Sequence, residues 1–150
     1  MNIQEFRERI KPGMTVIVGG KQAAIKEVVK FRLDDGDFYT KCFLEDNQVL
    51  ADDLNGNIFI FAKETKDYFD PSFPEKLDYD GREFKFLYTA HAIAEETYGE
   101  EIFKKGDSES FWDYKADDGR YLSLGITDST KERADFYGEV IPTDAVNLTE

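Results

Sequence analysis

The chain has 150 residues, of which 41% are hydrophobic, 15% aromatic and 34% charged, a balance that fits one soluble domain with its own core and argues against disorder. Its formal charge of -13 argues against nucleic acid and anionic lipid as partners, since affinity for phosphates comes from Lys and Arg neutralising them. The acidity is uneven, with 10 basic against 14 acidic residues in positions 1–75 and 9 against 18 in positions 76–150.

Asn2 to Ile10 reads as a short helix, capped by Asn2, with Ile3, Phe6 and Ile10 on one face and Pro12-Gly13 as its stop. So short a helix is marginal alone and must dock. Met14 to Val18 is a first strand, turned by Gly19-Gly20 into a second from about Gln22 to Leu33. There Ile25, Val29, Phe31 and Leu33 share one face and Lys26, Lys30 and Arg32 the other, a solvated face more readily than an anion patch. Asp34-Asp35-Gly36-Asp37 is a turn, and Phe38 to Leu44 returns with Phe38, Thr40, Cys42 and Leu44 on one side. Glu45-Asp46-Asn47 and Asn55-Gly56-Asn57 are further turns around short strands at Val49-Leu50 and Ile58–Phe61. Residues 64–76 hold two prolines and no clean period, so they form a connector pinned by Tyr68, Phe69 and Phe73.

Leu77 to Tyr88 resumes the strand pattern around Asp80-Gly81, with Phe84, Phe86 and Tyr88 on one face. Thr89 to Tyr98 is ambiguous between helix propensity and alternation, and is assigned as strand. A short piece lies between Gly99 and Gly106. Residues 111–126 are the organising hairpin: Trp112, Tyr114 and Ala116 alternate with Phe111, Asp113 and Lys115, and Leu122, Leu124 and Ile126 with Tyr121, Ser123 and Gly125, around an Asp117-Asp118-Gly119 turn. Thr127 to Asp135 is a polar loop, Phe136 to Ile141 a closing strand, and Pro142 to Glu150 a tail. The fold class is mainly β, antiparallel hairpins and meanders in one compact domain with a short N-terminal helix. Gly20-Lys21 echoes Gly81-Arg82 and Phe38-Tyr39 echoes Phe111-Trp112, which either two diverged halves (11–63 and 76–142, joined by 64–75) or coincidence among hairpins would produce.

The segments KPGMTVIVGGK, FLEDNQVL, LDYDGREF, FWDYKADDGRYLSLGI and FYGEVI, spread over nearly the whole chain, resemble a bacterial family catalogued as a domain of unknown function, DUF4178. Trp112 with Tyr114 followed by Leu122-Ser123, and the late Gly138-Glu139, are its more specific parts. The resemblance implies a β-rich domain with no established activity and no catalytic residue to carry over. It also implies a component of gene neighbourhoods concerned with membrane stress, small membrane proteins and polyamine metabolism. Phe38, Tyr39 and Leu50 stand where tryptophans often accompany the family's central strands, which leaves the second-half hairpin as the better place for a site.

His91 is the only histidine, which excludes multi-histidine metal sites and reads as structural, with Glu95 or Glu96 as its local candidate partner. Cys42 is the only cysteine, so no internal disulfide forms and a buried apolar role follows. No phosphate loop, dinucleotide fingerprint, nucleophile elbow or paired-cysteine motif is present, which lowers the enzyme reading. Asp34, Asp35 and Asp37 have a calcium-like look but lack the downstream glutamate of a calcium loop, and they serve a turn. No catalytic, metal or cofactor residue is assigned, and no cofactor is implied. The candidate binding surface is Trp112, Asp113, Tyr114 and Tyr121, with Asp113 facing away from both Trp112 and Tyr114. No secretory leader and no stretch near the roughly 18 apolar residues of a membrane helix is seen, so a cytoplasmic protein without a transmembrane segment is expected. The leading expectation is a non-catalytic protein-interaction or accessory module with an unknown protein partner. The alternative is a domain that binds a small cationic molecule such as a polyamine, and a carboxylate-dependent enzyme comes third.

Overall fold

The structure, a computed structural model, describes residues 1–53, 56–100 and 102–150. The chain opens with helix α1 (Ile3–Arg9), where the Asn2 side chain accepts from the Glu5 backbone N–H at 2.8 Å, the cap that its sequence anticipates. Eleven strands follow among the described residues: β1 (Thr15–Val18), β2 (Lys21–Leu33), β3 (Phe38–Leu44), β4 (Gln48–Asp53), β5 (Ile58–Thr65), β6 (Lys76–Tyr79), β7 (Arg82–Gly99), β8 (Ser108–Ala116), β9 (Arg120–Thr127), β10 (Arg133–Pro142) and β11 (Val146–Thr149). The expected Asn55-Gly56-Asn57 turn lies partly outside the described residues, at Asn55.

Eight of these strands close an antiparallel barrel in the order β2-β3-β4-β5-β10-β9-β8-β7, with β7 returning to β2. Closure removes the exposed edges that an open meander would leave. Each half of the chain supplies four consecutive barrel strands. The half-barrels join at two seams, β5 with β10 and β2 with β7. At the first seam Gly138 lies so close to β5 that a Cβ built on it would sit 2.0 Å from the Phe61 carbonyl oxygen, so no larger residue fits there without moving a strand. β1 and β11 extend the sheet beyond β2, and β6 extends it beyond β7.

Several boundaries and faces differ from the sequence reading. Val49-Leu50 and Ile58–Phe61 are parts of the longer strands β4 and β5. The ambiguous segment 89–98 is strand, continuous with the preceding one in the 18-residue β7. The tail is not free: a 3-10 turn at Thr143–Ala145 leads into β11, which pairs with β1, and the Met1 ammonium donates to the carbonyls of Thr143 and Val146.

Of three register shifts among the described residues, one lies in β7 between Ala94 and Glu96, and the other two reassign side chains that matter for the barrel interior. One between Ile25 and Glu27 puts Ile25 outside, under α1 with Phe6 and Leu44, while Val29 and Phe31 point into the barrel. Another between Phe86 and Tyr88 leaves Phe84 and Phe86 on the outer face and turns Tyr88 inward, opposite Asp113. An extra residue in one strand reverses all that follows it, so unbroken alternation assigned Tyr88 and Ile25 to the wrong neighbours.

Two layers cover the barrel from outside. Helix α1 packs Phe6 edge-on against Phe59, ring centroids 4.8 Å apart, and Arg7 clamps buried Asp52 at 2.6 and 3.1 Å. On the far side the connector and β6 bury Phe69, Phe84, Tyr114, Leu122 and Leu124 in one cluster. Inside, Phe103 from the β7–β8 loop packs edge-on to Phe31 at 5.2 Å, near the end of the barrel where Glu27 meets Gly99. Glu27, fully buried, accepts from the backbone N–H groups of Ile102 and Phe103 and holds that loop in place.

Candidate functional site

The barrel interior is not filled. Apolar side chains of β2, β7 and β8 pack at one side and those of β4, β5, β9 and β10 at the other, and between them lies a cavity of about 830 Å³. It extends to the Asp34–Asp37 turn, which joins β2 and β3 at the end of β2 opposite Glu27. Its wall is aromatic, with Tyr39, Tyr88, Phe111, Tyr121 and Phe136, and its charges are mainly acidic, with Asp53, Glu109 and Asp113 beside the turn aspartates. Lys41 is the lining cation without an ion pair among the described residues, and its Nζ rests 4.4 Å from the Phe136 ring centre.

Asp113 is the best-defined polar group. It sits on β8 between two outward neighbours, 3% exposed, and accepts from the Tyr121 hydroxyl at 2.5 Å and the Ser123 hydroxyl at 2.6 Å. Burial raises its pKa from 3.8 to about 6, against the hydrogen bonds from Ser123, Tyr121 and Tyr88 that favour the carboxylate. Burial, followed by the Asp113 charge, pushes the Tyr121 and Tyr88 phenols upward, so both stay neutral donors. Glu109, 4% exposed, takes one long bond of 3.4 Å from the Tyr39 hydroxyl. Burial and this carboxylate together hold Tyr39 in its phenol form.

The four residues singled out from sequence separate in space. Asp113 faces away from Trp112 and Tyr114, as alternation requires, and with Tyr121 lines the cavity. Trp112 and Tyr114 face out and are covered: Phe73 stacks on Trp112 with centroids 3.7 Å apart, and Tyr114 is fully buried with its hydroxyl donating to the Pro74 carbonyl at 2.8 Å. They brace the wall behind the site. Tyr39, Lys41, Tyr88, Glu109, Ser123 and Phe136 join the site without having been singled out. For Glu109 a signal was available, because residues 109, 111 and 113 share one face of a regular strand. For Tyr88 none was, since the bulge that turns it inward leaves no mark in composition.

His91 stands at the cavity rim. Its Nδ1 lies 3.1 Å from Asp34 and its Nε2 2.7 Å from Asp128, which also accepts from Ser108 at 2.5 Å. Its partners are therefore remote in sequence, whereas Glu95 pairs with Arg32 at 3.1 Å. At about 3.3 Å per residue, strand positions four and five on lie roughly 13–17 Å from the ring and out of its reach, and the sheet brings the true partners from other turns. The aspartates flanking the ring, Asp128 foremost, raise its pKa above 6.5. Asp34 and Asp35 serve the turn, Asp35 accepting from the Asp37 N–H at 2.9 Å. Among the described residues no three His, Cys, Asp or Glu side chains gather as metal ligands, and no helix is long and apolar enough to cross a membrane.

Fold and cavity together define a closed eight-stranded antiparallel barrel with an acidic, aromatic lumen. The sequence profile of the family described as Domain of unknown function (DUF4178) matches residues 11–143, and the chain belongs to that family. Gly138, one of the residues that carried the resemblance, is the glycine of the β5–β10 seam. No curated protein and no solved structure matches the chain.

Proposed function

We propose that the protein is a non-catalytic binding module that holds a small cationic molecule in its barrel lumen. The observation that carries this reading is a cavity of about 830 Å³ whose buried carboxylates without an ion pair among the described residues are Asp113 and Glu109, set among tyrosine and phenylalanine rings. A site of this size, apolar with a few placed polar groups, is the usual form of a ligand pocket. Buried carboxylates favour a positive ligand that repays their desolvation, and aromatic faces attract an organic cation. A polyamine is one such cation.

Thermal unfolding of the full chain against amines, carboxylates, sugars and nucleotides tests the reading. A saturable rise in Tm with amines, absent for the other classes and lost in Ala51→Phe, which fills the cavity wall, is expected. A Tm unmoved by every amine would reject it.

A second reading, an accessory module with a protein partner, has its support in Tyr98 and Ile102, 53% and 52% exposed beside the Phe103 loop. On the outer face, Trp112 and Tyr114 lie beneath the connector. Native pull-down with wild type and Tyr98→Ser addresses this reading, and capture unchanged by the substitution would remove this patch from consideration.

A further inference from the structure

Glu109, Phe111 and Asp113 occupy successive inward positions of β8. Four residues of strand separate the two carboxylate-bearing positions by about 13 Å, too far for both to hold one ion. Glu109 is 4% exposed, its Oε1 has only the long bond from Tyr39, and its Oε2, which makes no hydrogen bond among the described residues, borders the open lumen and is not sealed in packed protein. A carboxylate at the wall of so enclosed a lumen is a favourable place for a compensating positive charge. Asp113, 3% exposed, is held by hydroxyl donors and feels the charge of Lys41 across the lumen without forming a salt bridge to it. Between the two poles, Phe111 lies with its ring centre 6.0 Å from those of both Tyr39 and Tyr88, each in an edge-to-face arrangement. The result is an apolar corridor with a negative group at each end.

We propose that the lumen takes an extended aliphatic dication, with one charged nitrogen at Glu109, the other at Asp113, and the hydrocarbon between them lying along Phe111. This rests on the lumen reading above and adds to it the number and spacing of the ligand's charges. A compact cation satisfies one pole and leaves the other bare, and a monoamine of the same length does likewise. Lys41 on Phe136 is an internal precedent, since it places an ammonium against an aromatic ring of the same wall.

The test is calorimetric titration of the full chain with straight-chain α,ω-diamines from propane to decane and with the corresponding monoamines. Wild type, Glu109→Gln and Asp113→Asn are compared. Affinity is expected to rise with length to a maximum among the longer diamines, which bind about tenfold or more tighter than monoamines of equal length. Either substitution should reduce the preferred diamine to the monoamine level. The length series on wild type needs no variant, so a misfolded substitution does not obscure it. Monoamines matching diamines, short diamines matching long ones, or a long diamine indifferent to both substitutions would overturn the dication while leaving a cationic lumen intact. No binding by any amine would overturn both.

Discussion

Asp113 and His91 respond to pH in the same sense, since folding raises both pKa values and each contribution is lost as pH rises, though the cause is burial for one and neighbouring carboxylates for the other. The folded chain holds the Asp113 proton more tightly than the unfolded chain, with a pKa of about 6 against 3.8. Its contribution therefore favours folding at low pH, declines as pH rises between those values, and above about 6 is a full penalty of roughly 3 kcal/mol. Asp113→Asn removes that titration, so its stability relative to wild type should improve from pH 4 to pH 8, as followed by urea unfolding at both. A difference independent of pH would contradict the assigned shift. For His91 the folded pKa is raised above 6.5 by Asp128 and Asp34, so its stabilisation is present below that value and fades as pH rises through the folded pKa. His91→Gln should accordingly be destabilised relative to wild type at pH 5.5 and approach it at pH 9. Because the ring is about a third exposed, solvent screens the pair and the effect is small.

At the scale of elements, the β5–β10 seam and the outer layers bear most directly on the barrel's shape. Gly138→Ala would drive a methyl group into the Phe61 carbonyl and the Ala62 backbone. Spreading that seam should destabilise the protein by about 1–3 kcal/mol, which chemical denaturation would measure. Phe6→Ala, which empties a fully buried position between α1 and Phe59, should cost about 3–5 kcal/mol by the same measurement. On the opposite face, Phe73 holds a positive φ of 50° while its ring stacks on Trp112 and the Arg133 guanidinium lies 4.9 Å above it. Trp112 is the only tryptophan, so Phe73→Ala should shift its emission to longer wavelength as water reaches the indole. An unchanged spectrum would show that the connector does not cover Trp112 in solution.

For the whole molecule, each half repeats one order of elements: a short strand, a tight turn, a long strand, then three more strands. β1–β5 follow this order around Gly19-Gly20, and β6–β10 follow it around Asp80-Gly81. The division into halves 11–63 and 76–142 stands as a proposal on that ground. Neither half closes alone, since each needs the other along both seams. Unfolding should therefore be a single transition. Trp112 emission from the second half and Cys42 reactivity towards a thiol reagent from the first should change at the same denaturant concentration, Cys42 being fully buried in the native state. Two separate midpoints would mean that the halves fold independently.

The sequence by itself determined what depends on near neighbours. Asn2 as a helix cap, Gly119 at a positive φ of 88° in the organising hairpin, and Asp113 facing away from Trp112 and Tyr114 all follow from local spacing. The strand character of 89–98 was legible too, because its alternation matches a sheet with one face turned to a lumen. Only the tertiary structure decided that the meanders close on each other, since the seams pair strands far apart in the chain and alternation reads the same in a barrel or a sandwich. It also decided that Trp112 and Tyr114 lie beneath a connector while Tyr88 points inward, through a bulge without a sequence signature. The site had the same limit. Period two places Glu109, Phe111 and Asp113 on one face, but whether that face meets solvent, core or cavity depends on how many strands surround it and how much of the enclosed volume their side chains fill.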